Sequence, residues 1–295
     1  MKKVTDLVEL LRVKQWIKNA FIFFPLIFSG QFFVTDLALK ALITFFSFCF
    51  IASGIYLTND YLDVERDRNH PRKKNRPLLR YNLHPGLIVS IVGLFIAGGL
   101  GMAWLVQVSV VYAALSYILL NVIYNWIAKN IVLLDVIFIA VGFEIRIWAG
   151  ALAAGILPSV WLQLCVFLLA LFLGFTKRRH EISILKDKAF EHRMVLSHYK
   201  MYLLDQIIVI CSTLTIIFYG LYALSVDLRA GEENSYMIYS IVFVIYGIFR
   251  YFYLVHVKNL GEDTGEIIFS DFPFFINILL WGLYMALILY APKIF

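Results

Sequence analysis

Three aspartates and one asparagine stand within one short stretch of the chain, NDYLDVERD at 59–67. In a helix successive residues turn by about 100°, so all four fall within an arc of about 100°. Carboxylates crowded on one face repel one another unless a cation lies among them, and oxygen ligands select a hard ion such as Mg²⁺. A solvated acidic helix end, paired with nearby arginines, is the alternative. The predicted magnesium ligands are Asn59, Asp60, Asp63 and Asp67, and the three carboxylates among them are catalytic candidates.

A run of cations, HPRKKNRP at 70–77, follows the acidic stretch directly. Pro71 and Pro77 end helical structure on both sides, so the run is predicted to be a loop. Carboxylates and cations side by side suit a phosphate group carried with Mg²⁺, and we expect Lys73 and Arg76 to bind it. Contact with anionic lipid headgroups is the alternative.

Two ionisable residues, Glu144 and Arg146, fall inside an apolar run. Such residues are costly within a membrane helix unless they pair or line a cavity. We therefore predict a cavity role, with Glu144 as a further catalytic candidate and Arg146 as a substrate-binding residue. A purely structural hydrogen bond is the alternative.

The remaining polar candidates stand near or within the apolar runs, and several mark their ends. For the cations at the ends of these runs, anchoring at the membrane surface or stopping the translocation of the chain is the alternative to binding phosphate. The further candidates for binding substrate are Lys14, Gln15, Lys18, Asn19, Tyr124, Lys129, Asp135, Lys177, Arg178 and Arg179.

The chain that carries these residues is too apolar for a soluble enzyme. Of its 295 residues, 61% are hydrophobic and 16% are charged, whereas roughly 25% are charged in ordinary soluble domains. Windows of about 19 residues, the length of a membrane helix, predict nine spans and one all-α integral membrane domain over 1–295. The spans lie near 19–36, 38–57, 85–105, 107–127, 132–155, 159–176, 205–226, 235–256 and 272–291.

The positive charges fix a predicted orientation in the membrane. Lysines and arginines divide 22 to 3 between alternate sides, which places the N-terminus and the basic loops 58–84 and 177–204 in the cytoplasm and the C-terminus outside. Residues 1–18 combine cations with a helical apolar pattern and predict an amphipathic helix on the membrane surface rather than a cleaved signal. We expect lipid partners and no nucleic acid, and a homo-oligomer stays open.

Beyond these physical patterns, the chain resembles the UbiA superfamily of membrane prenyltransferases, whose N-D-x-x-D-x-x-x-D motif matches 59–67. Within that superfamily it is most similar to the decaprenyl-phosphate phosphoribosyltransferase branch. The similarity is carried by LRVKQWIKNAFIFFPL (11–26), ASGIYLTNDYLDVERDRNHPRKKNRPL (52–78), YNWIAKNIVLLDVIFIAVGFEIRIWAGA (124–151), LGFTKRRHEI (173–182) and a segment over 250–271 that contains GEDTGEIIFSD.

The resemblance implies a bundle of nine helices around a central cavity in the plasma membrane. It also implies a reaction for cell-envelope glycan synthesis, in which 5-phosphoribose passes from 5-phosphoribosyl 1-diphosphate (PRPP) to a polyprenyl phosphate and diphosphate is released. Mg²⁺ on the acidic set would bind the diphosphate, with Lys73, Arg76, Tyr124 and Lys129 holding diphosphate and ribose oxygens. Three cations, Lys177, Arg178 and Arg179, would bind the ribose 5-phosphate.

The same resemblance suggests roles for the other polar residues. Lys14, Lys18 or Arg146 would meet the phosphate of the lipid acceptor. Glu144 or Asp135 would stabilise positive charge at the ribose C1 or orient a ribose hydroxyl.

Two other functions stay open at this stage. UbiA prenyltransferases carry a second acidic motif, D-x-x-x-D, after the sixth span, where this chain has Asp187 as its one aspartate. Its absence counts against the transfer of a prenyl group to an aromatic or other acceptor. A transporter without chemistry is a more distant alternative, because its acids are expected near the middle of the membrane.

Overall fold

The computed structural model describes residues 6, 8–64, 78, 84–185, 194–230, 236–258, 260, 267, 268 and 270–294. All regular structure in this part of the chain is helical, as predicted. Backbone contacts divide the chain into two compact units, Met1–Asn125 with Ile145–Leu157, and Trp126–Glu144 with Pro158–Phe295. We call them unit 1 and unit 2. The single domain over 1–295 stays a prediction.

Eight helices in the described residues are long and apolar enough to cross a membrane, and they match the second to ninth predicted spans. Their residues are α2 (Thr35–Leu62), α3 (Pro85–Val106), α4 (Val108–Trp126), α5 (Leu134–Ala154), α6 (Val160–Leu185), α7 (Met201–Ala230), α8 (Ile241–His256) and α9 (Phe272–Ile294). Short 3₁₀ helices cover Ala128–Asn130, Met194–His198 and Met237–Ser240.

The first predicted span, 19–36, is wrong as a continuous α-helix. A 3₁₀ helix over Val13–Phe23 is followed by a short α-helix, α1 (Phe24–Phe28). Pro25 has no N–H with which to continue the hydrogen bonds of the preceding helix. Gly30, at φ 67°, adopts the left-handed conformation that commonly ends a helix, here just after α1. The described residues therefore contain eight long membrane helices rather than nine.

Residues 13–28, here called the leading segment, run antiparallel to α2. The indole N–H of Trp16 donates to Ser53, and the amide of Asn19 lies 3.2 Å from the sulfur of Cys49. Eleven residues of 3₁₀ helix and five of α-helix extend for about 30 Å, close to the thickness of the hydrocarbon core. Residues 13–18 belong to this packed segment, whereas the sequence predicts a helix on the membrane surface.

Close approaches of backbone hold unit 1 together. In α3, a Cβ on Gly99 would lie 2.8 Å from the carbonyl oxygen of Ser47 in α2, and the Ser47 hydroxyl donates to the Gly99 carbonyl at 2.7 Å. In α5, a Cβ on Gly150 would collide with the carbonyl oxygen of Ile22 in the leading segment. Glycine at these two positions lets α3 pack tightly on α2, and α5 on the leading segment.

Unit 2 is centred on a cluster of buried aromatic and aliphatic side chains that includes Phe172, Leu204 and Leu254. The start of α5 packs closely on α6, because a Cβ on Gly174 would lie 2.5 Å from Cγ1 of Val136. Both predicted cytoplasmic loops are shorter than expected, since α2 continues to Leu62 and α6 to Leu185.

Candidate functional site

The acidic motif lies at the end of α2 in unit 1. Asn59 and Asp60 occupy its last turn, and Asp63 follows the helix end with its N–H donating to the Asn59 carbonyl at 3.0 Å. The helical continuation on which the predicted magnesium site depends is therefore present through Leu62. Asp67, Lys73 and Arg76 lie outside the described residues.

Two of the predicted ligands contact side chains from other elements of unit 1. Nε of Arg12 donates to Oδ2 of Asp60 at 3.0 Å, and a second guanidinium nitrogen donates to Oδ1. Nδ2 of Asn125, at the end of α4, donates to Oδ1 of Asn59 at 2.6 Å. Asn59 and Asp60 are thus each oriented by a side chain from another element.

The donor atoms fit a hard cation, because Asn59 and Asp63 share a face of α2 and offer amide and carboxylate oxygens. Within the described part of the chain, no group of three or more histidines, cysteines, aspartates or glutamates is placed to hold a metal ion. The fourth predicted ligand, Asp67, lies beyond it. The magnesium site therefore stays a prediction.

The leading segment carries four of the predicted substrate-binding residues. Lys14 is exposed, and Gln15 and Lys18 are partly buried. Asn19 is buried, and its Oδ1 accepts a hydrogen bond from Nε of Arg146 at 2.7 Å. Asn19 is therefore engaged within the protein, whereas Lys14 is accessible.

Arg146 is held in the interior of unit 1. Its guanidinium donates to the hydroxyl of Tyr117 at 2.7 Å and lies 4.6 Å from the centre of the Tyr117 ring. Arg146 contacts the leading segment at Asn19. Asn19 is seven residues further along the chain than Arg12, which contacts Asp60 of the acidic motif. At about 2.0 Å per residue of 3₁₀ helix, Arg146 contacts that segment about 14 Å from the acidic motif.

In unit 2, Asp135 is fully buried at the start of α5. Nε of Arg178 donates to its Oδ2 at 2.7 Å, and the Tyr199 hydroxyl donates to its Oδ1 at 2.6 Å. Arg178 also pairs with Glu181 at 2.8 Å. Burial, together with the hydrogen bond to Asp135, raises the pKa of Tyr199 well above its usual range. The structure brings together Asp135 and Arg178, two residues predicted to contact substrate, in one internal network.

The other predicted residues of unit 2 are more dispersed. Lys129 lies in the 3₁₀ turn before α5, and Lys177 is exposed on α6. Arg179 forms an ion pair with Asp205. Oε1 of Glu144 is buried and has no hydrogen-bond partner among the described residues. Tyr124, the remaining candidate, is a partly buried residue of α4 in unit 1, adjacent to Asn125.

Comparison with known proteins identifies the family. The model of the UbiA prenyltransferase family matches residues 21–290. The chain belongs to the UbiA prenyltransferase family. The resemblance drawn from the acidic motif is confirmed.

Two UbiA relatives have names that state an activity. A decaprenyl-phosphate phosphoribosyltransferase of Mycolicibacterium smegmatis is 31% identical over 94% of this chain and 90% of its own length. One from Corynebacterium glutamicum is 29% identical over 100% of this chain and 90% of its own length.

Solved structures carry the same fold. A UbiA homolog from Archaeoglobus fulgidus bound to GPP and Mg²⁺ superposes with a TM-score of 0.72. The two chains are 17% identical, and the match covers 96% of this chain and 99% of the other. The predicted all-α, UbiA-like membrane fold is confirmed.

The sequence analysis does not identify the contacts of several residues in this UbiA chain. Asn125 and Tyr199 matter through contacts with residues 66 and 64 positions away, and no local pattern indicates either contact. Glu191 stands four residues after Asp187 and is missed by a search for paired aspartates. The loop after the sixth span thus offers a D-x-x-x-E pair, outside the described residues, which weakens the argument against prenyl transfer.

Proposed function

We propose that the chain transfers 5-phosphoribose from PRPP to a polyprenyl phosphate and releases diphosphate. The observation that carries the proposal is the 31% identity to a decaprenyl-phosphate phosphoribosyltransferase over 94% of this chain. The product would be a polyprenylphosphoryl 5-phosphoribose, a lipid-linked sugar suited to cell-envelope glycan synthesis. Residues of unit 1 supply the chemistry that this reaction needs.

The acidic motif is the proposed site for the diphosphate of PRPP. Asn59, Asp63 and Asp67 would hold Mg²⁺ through amide and carboxylate oxygens. When bound, Mg²⁺ neutralises charge that develops on the departing diphosphate. Asn125 keeps the Asn59 oxygen in a fixed orientation for this task. Lys73 and Arg76, which follow in the sequence, are proposed to bind phosphate oxygens.

The acceptor needs little activation. A phosphate oxygen of the lipid is already ionised at neutral pH, so it can attack C1 of the ribose without a general base. The C1–O bond to diphosphate breaks, and a new C1–O bond to the lipid phosphate forms. The main task of the protein is to bring two anions together in the correct orientation.

Lys14 and Lys18 are the proposed partners of the acceptor phosphate. Both stand on the leading segment within six residues of Arg12, which contacts the acidic motif through Asp60. Arg146 is a weaker candidate, because its guanidinium is engaged by Asn19 and Tyr117.

The protein crosses the membrane several times, and its orientation is part of the proposal. The 22 to 3 division of lysines and arginines favours a cytoplasmic N-terminus and acidic motif. If the leading segment counts as a crossing, the eight long helices that follow it place the C-terminus outside. PRPP would then bind from the cytoplasm, and the polyprenyl chain from the bilayer.

Prenyl transfer is the second candidate function. It is favoured by the D-x-x-x-E pair at Asp187 and Glu191, which can replace the second acidic motif of prenyltransferases. The donor would then be an allylic diphosphate rather than PRPP.

One assay separates the two functions. Purified protein is incubated with Mg²⁺, radiolabelled PRPP and a polyprenyl monophosphate, and the label that enters an organic-extractable, acid-labile lipid is measured. We expect transfer that EDTA abolishes and that Asp63→Asn removes. No transfer with several lipid lengths, together with turnover of geranyl diphosphate and an aromatic acceptor, would contradict the proposal.

A further inference from the structure

Arg12 has an unusual backbone conformation. At φ 50° and ψ 43° it is left-handed, and Leu133 is the other non-glycine residue with positive φ in the described part of the chain. The left-handed region is unfavourable for residues with a Cβ, so it persists where surrounding contacts hold the residue in place. Arg12 immediately precedes the 3₁₀ helix of the leading segment.

The side chain of Arg12 forms an ion pair with Asp60. Two guanidinium nitrogens donate to the two carboxylate oxygens, a bidentate geometry that combines charge with a fixed direction. The guanidinium also lies 5.4 Å from the centre of the Tyr56 ring, one turn earlier on α2. Both oxygens of Asp60 are therefore engaged by Arg12, the residue just before the leading segment.

A second anchor joins the same elements. The hydroxyl of Ser53 donates to the carbonyl of Leu11 at 2.8 Å and accepts a hydrogen bond from the indole of Trp16 at 3.0 Å. Ser53 and Asp60 are two turns apart on α2. Together they fix the start of the leading segment along the acidic end of α2.

Asn59 and Asp63 are oriented differently from Asp60. On a helix, Asn59 and Asp63 are separated by about 40°, whereas Asp60 is turned by about 60° from Asp63. Asn59 contacts Asn125 of α4, and Asp60 contacts Arg12, which precedes the leading segment. Asp60 is therefore a carboxylate of the motif that is committed to a protein cation.

We propose that Asp60 is a positioning residue that binds Arg12, and that Mg²⁺ is held without it. The pair fixes Lys14 and Lys18 relative to the helix that carries Asn59 and Asp63. The role of the two lysines rests on the proposed function, whereas the Arg12–Asp60 pair does not.

A double-mutant cycle with exchanged charges tests the pair itself. Arg12→Asp, Asp60→Arg and the double variant are purified in detergent, and their thermal unfolding midpoints are measured without metal or substrate. We expect each single variant to unfold at a lower temperature and the double variant to recover most of the loss. Additive losses would overturn the proposal. Exchange of the exposed pair Asp36 and Lys40 at the opposite end of α2 is the matched control.

Metal binding tests the second half of the proposal. Mn²⁺ is titrated into each protein and followed by electron paramagnetic resonance, with Mg²⁺ as competitor. Asp60→Asn should retain the Mn²⁺ affinity within about threefold, whereas Asp63→Asn should lose at least about tenfold. An equal loss in the two variants would make Asp60 a ligand and overturn the proposal.

The turnover of Asp60→Asn completes the set of tests. A positioning role predicts a lower kcat at unchanged affinity for the metal, with partial recovery in the charge-exchanged double variant. A double variant that unfolds like the native protein but binds no Mn²⁺ would contradict this role. If the native protein transfers no phosphoribose, the unfolding cycle still decides whether the pair exists, so the two proposals fail separately.

Discussion

The hydroxyl of Tyr199 lies 2.6 Å from Oδ1 of Asp135, a carboxylate with no exposed surface. The hydroxyl oxygen of Tyr199 also accepts a hydrogen bond from the backbone N–H of Leu133 at 2.7 Å. The Tyr199 hydroxyl thus provides a hydrogen-bond partner for the N–H of Leu133, the left-handed residue before α5, and for the carboxylate of Asp135 at the start of α5.

Replacing Tyr199 with phenylalanine should destabilise the protein. The substitution leaves a buried carboxylate oxygen and the Leu133 N–H without this partner, a loss of about 1–3 kcal/mol. The measurement is thermal unfolding in detergent. Tyr202→Phe, at a side chain that is 76% exposed, is the control and should unfold like the native protein. Equal midpoints for all three would show that the hydroxyl is dispensable.

Asp63→Asn should abolish most of the magnesium-dependent turnover while leaving the fold intact. The variant keeps the size of the side chain but removes a charge from the proposed ligand set, and we expect a loss of about 100-fold or more in kcat. Asp36→Asn, near the opposite end of the same helix, is the matched control. Native turnover in Asp63→Asn would refute the metal assignment.

Asn125→Ala should weaken metal binding without removing a ligand. The Asn59 amide loses the donor that orients its oxygen, and such second-shell changes typically cost about 10-fold or more in metal affinity. Competition of Mg²⁺ with Mn²⁺ gives the affinity. Asn121→Ala, whose amide donates to the carbonyl of Tyr117 within its own helix, should bind metal normally.

Gly150→Ala should be poorly tolerated. The added methyl group would meet the carbonyl oxygen of Ile22, and the leading segment cannot shift without losing its contacts to α2. We expect a destabilisation of about 1–3 kcal/mol. Gly101→Ala, where a Cβ meets nothing within 4 Å, provides the comparison. If the two variants unfold at one temperature, the close approach has no energetic consequence.

The ionisation of Asp271 should make the stability of the protein depend on pH in the acid range. Hydrogen bonds from Arg250, and from the backbone N–H of Phe274, lower the pKa of this carboxyl. A lowered pKa in the folded state contributes stability above the unfolded value of 3.8, and the contribution is lost as pH falls through the folded value. The midpoints of native protein and Asp271→Asn should therefore differ at neutral pH and converge in acid. A constant difference across this range would exclude the linkage.

Hydropathy was sufficient to locate the eight long helices, because each span carries enough consecutive apolar residues to cross the membrane, with α8 completed by the 3₁₀ turn Met237–Ser240. It failed over residues 19–36, where Pro25 and Gly30 interrupt the helix. The helical continuation that the acidic spacing needs was also predictable and is present through Leu62, while the metal role of the acidic set stays a prediction.

The partners of these residues were not predictable. Arg178 meets Asp135 across 43 positions of sequence, and Arg12 meets Asp60 across 48. A cation in a membrane protein could pair with any of several carboxylates, and tertiary packing determines which pair forms. For this reason the sequence identified Asp135 and Arg178 as separate substrate contacts, whereas the structure joins them.

The 3₁₀ form of the leading segment constrains how this part of the chain can vary. Three residues complete a turn, so Trp16, Asn19 and Ile22 form a straight ridge toward Ser53, Cys49 and Gly150. Lys14 and Ile17 lie on a neighbouring ridge about 120° around the helix, where both side chains are exposed. Folding should tolerate substitutions on this exposed ridge and reject them on the packed one, whereas phosphate binding would restrict Lys14. The insertion of a single residue would rotate every later side chain by about 120° and turn the packed ridge away from Ser53, Cys49 and Gly150.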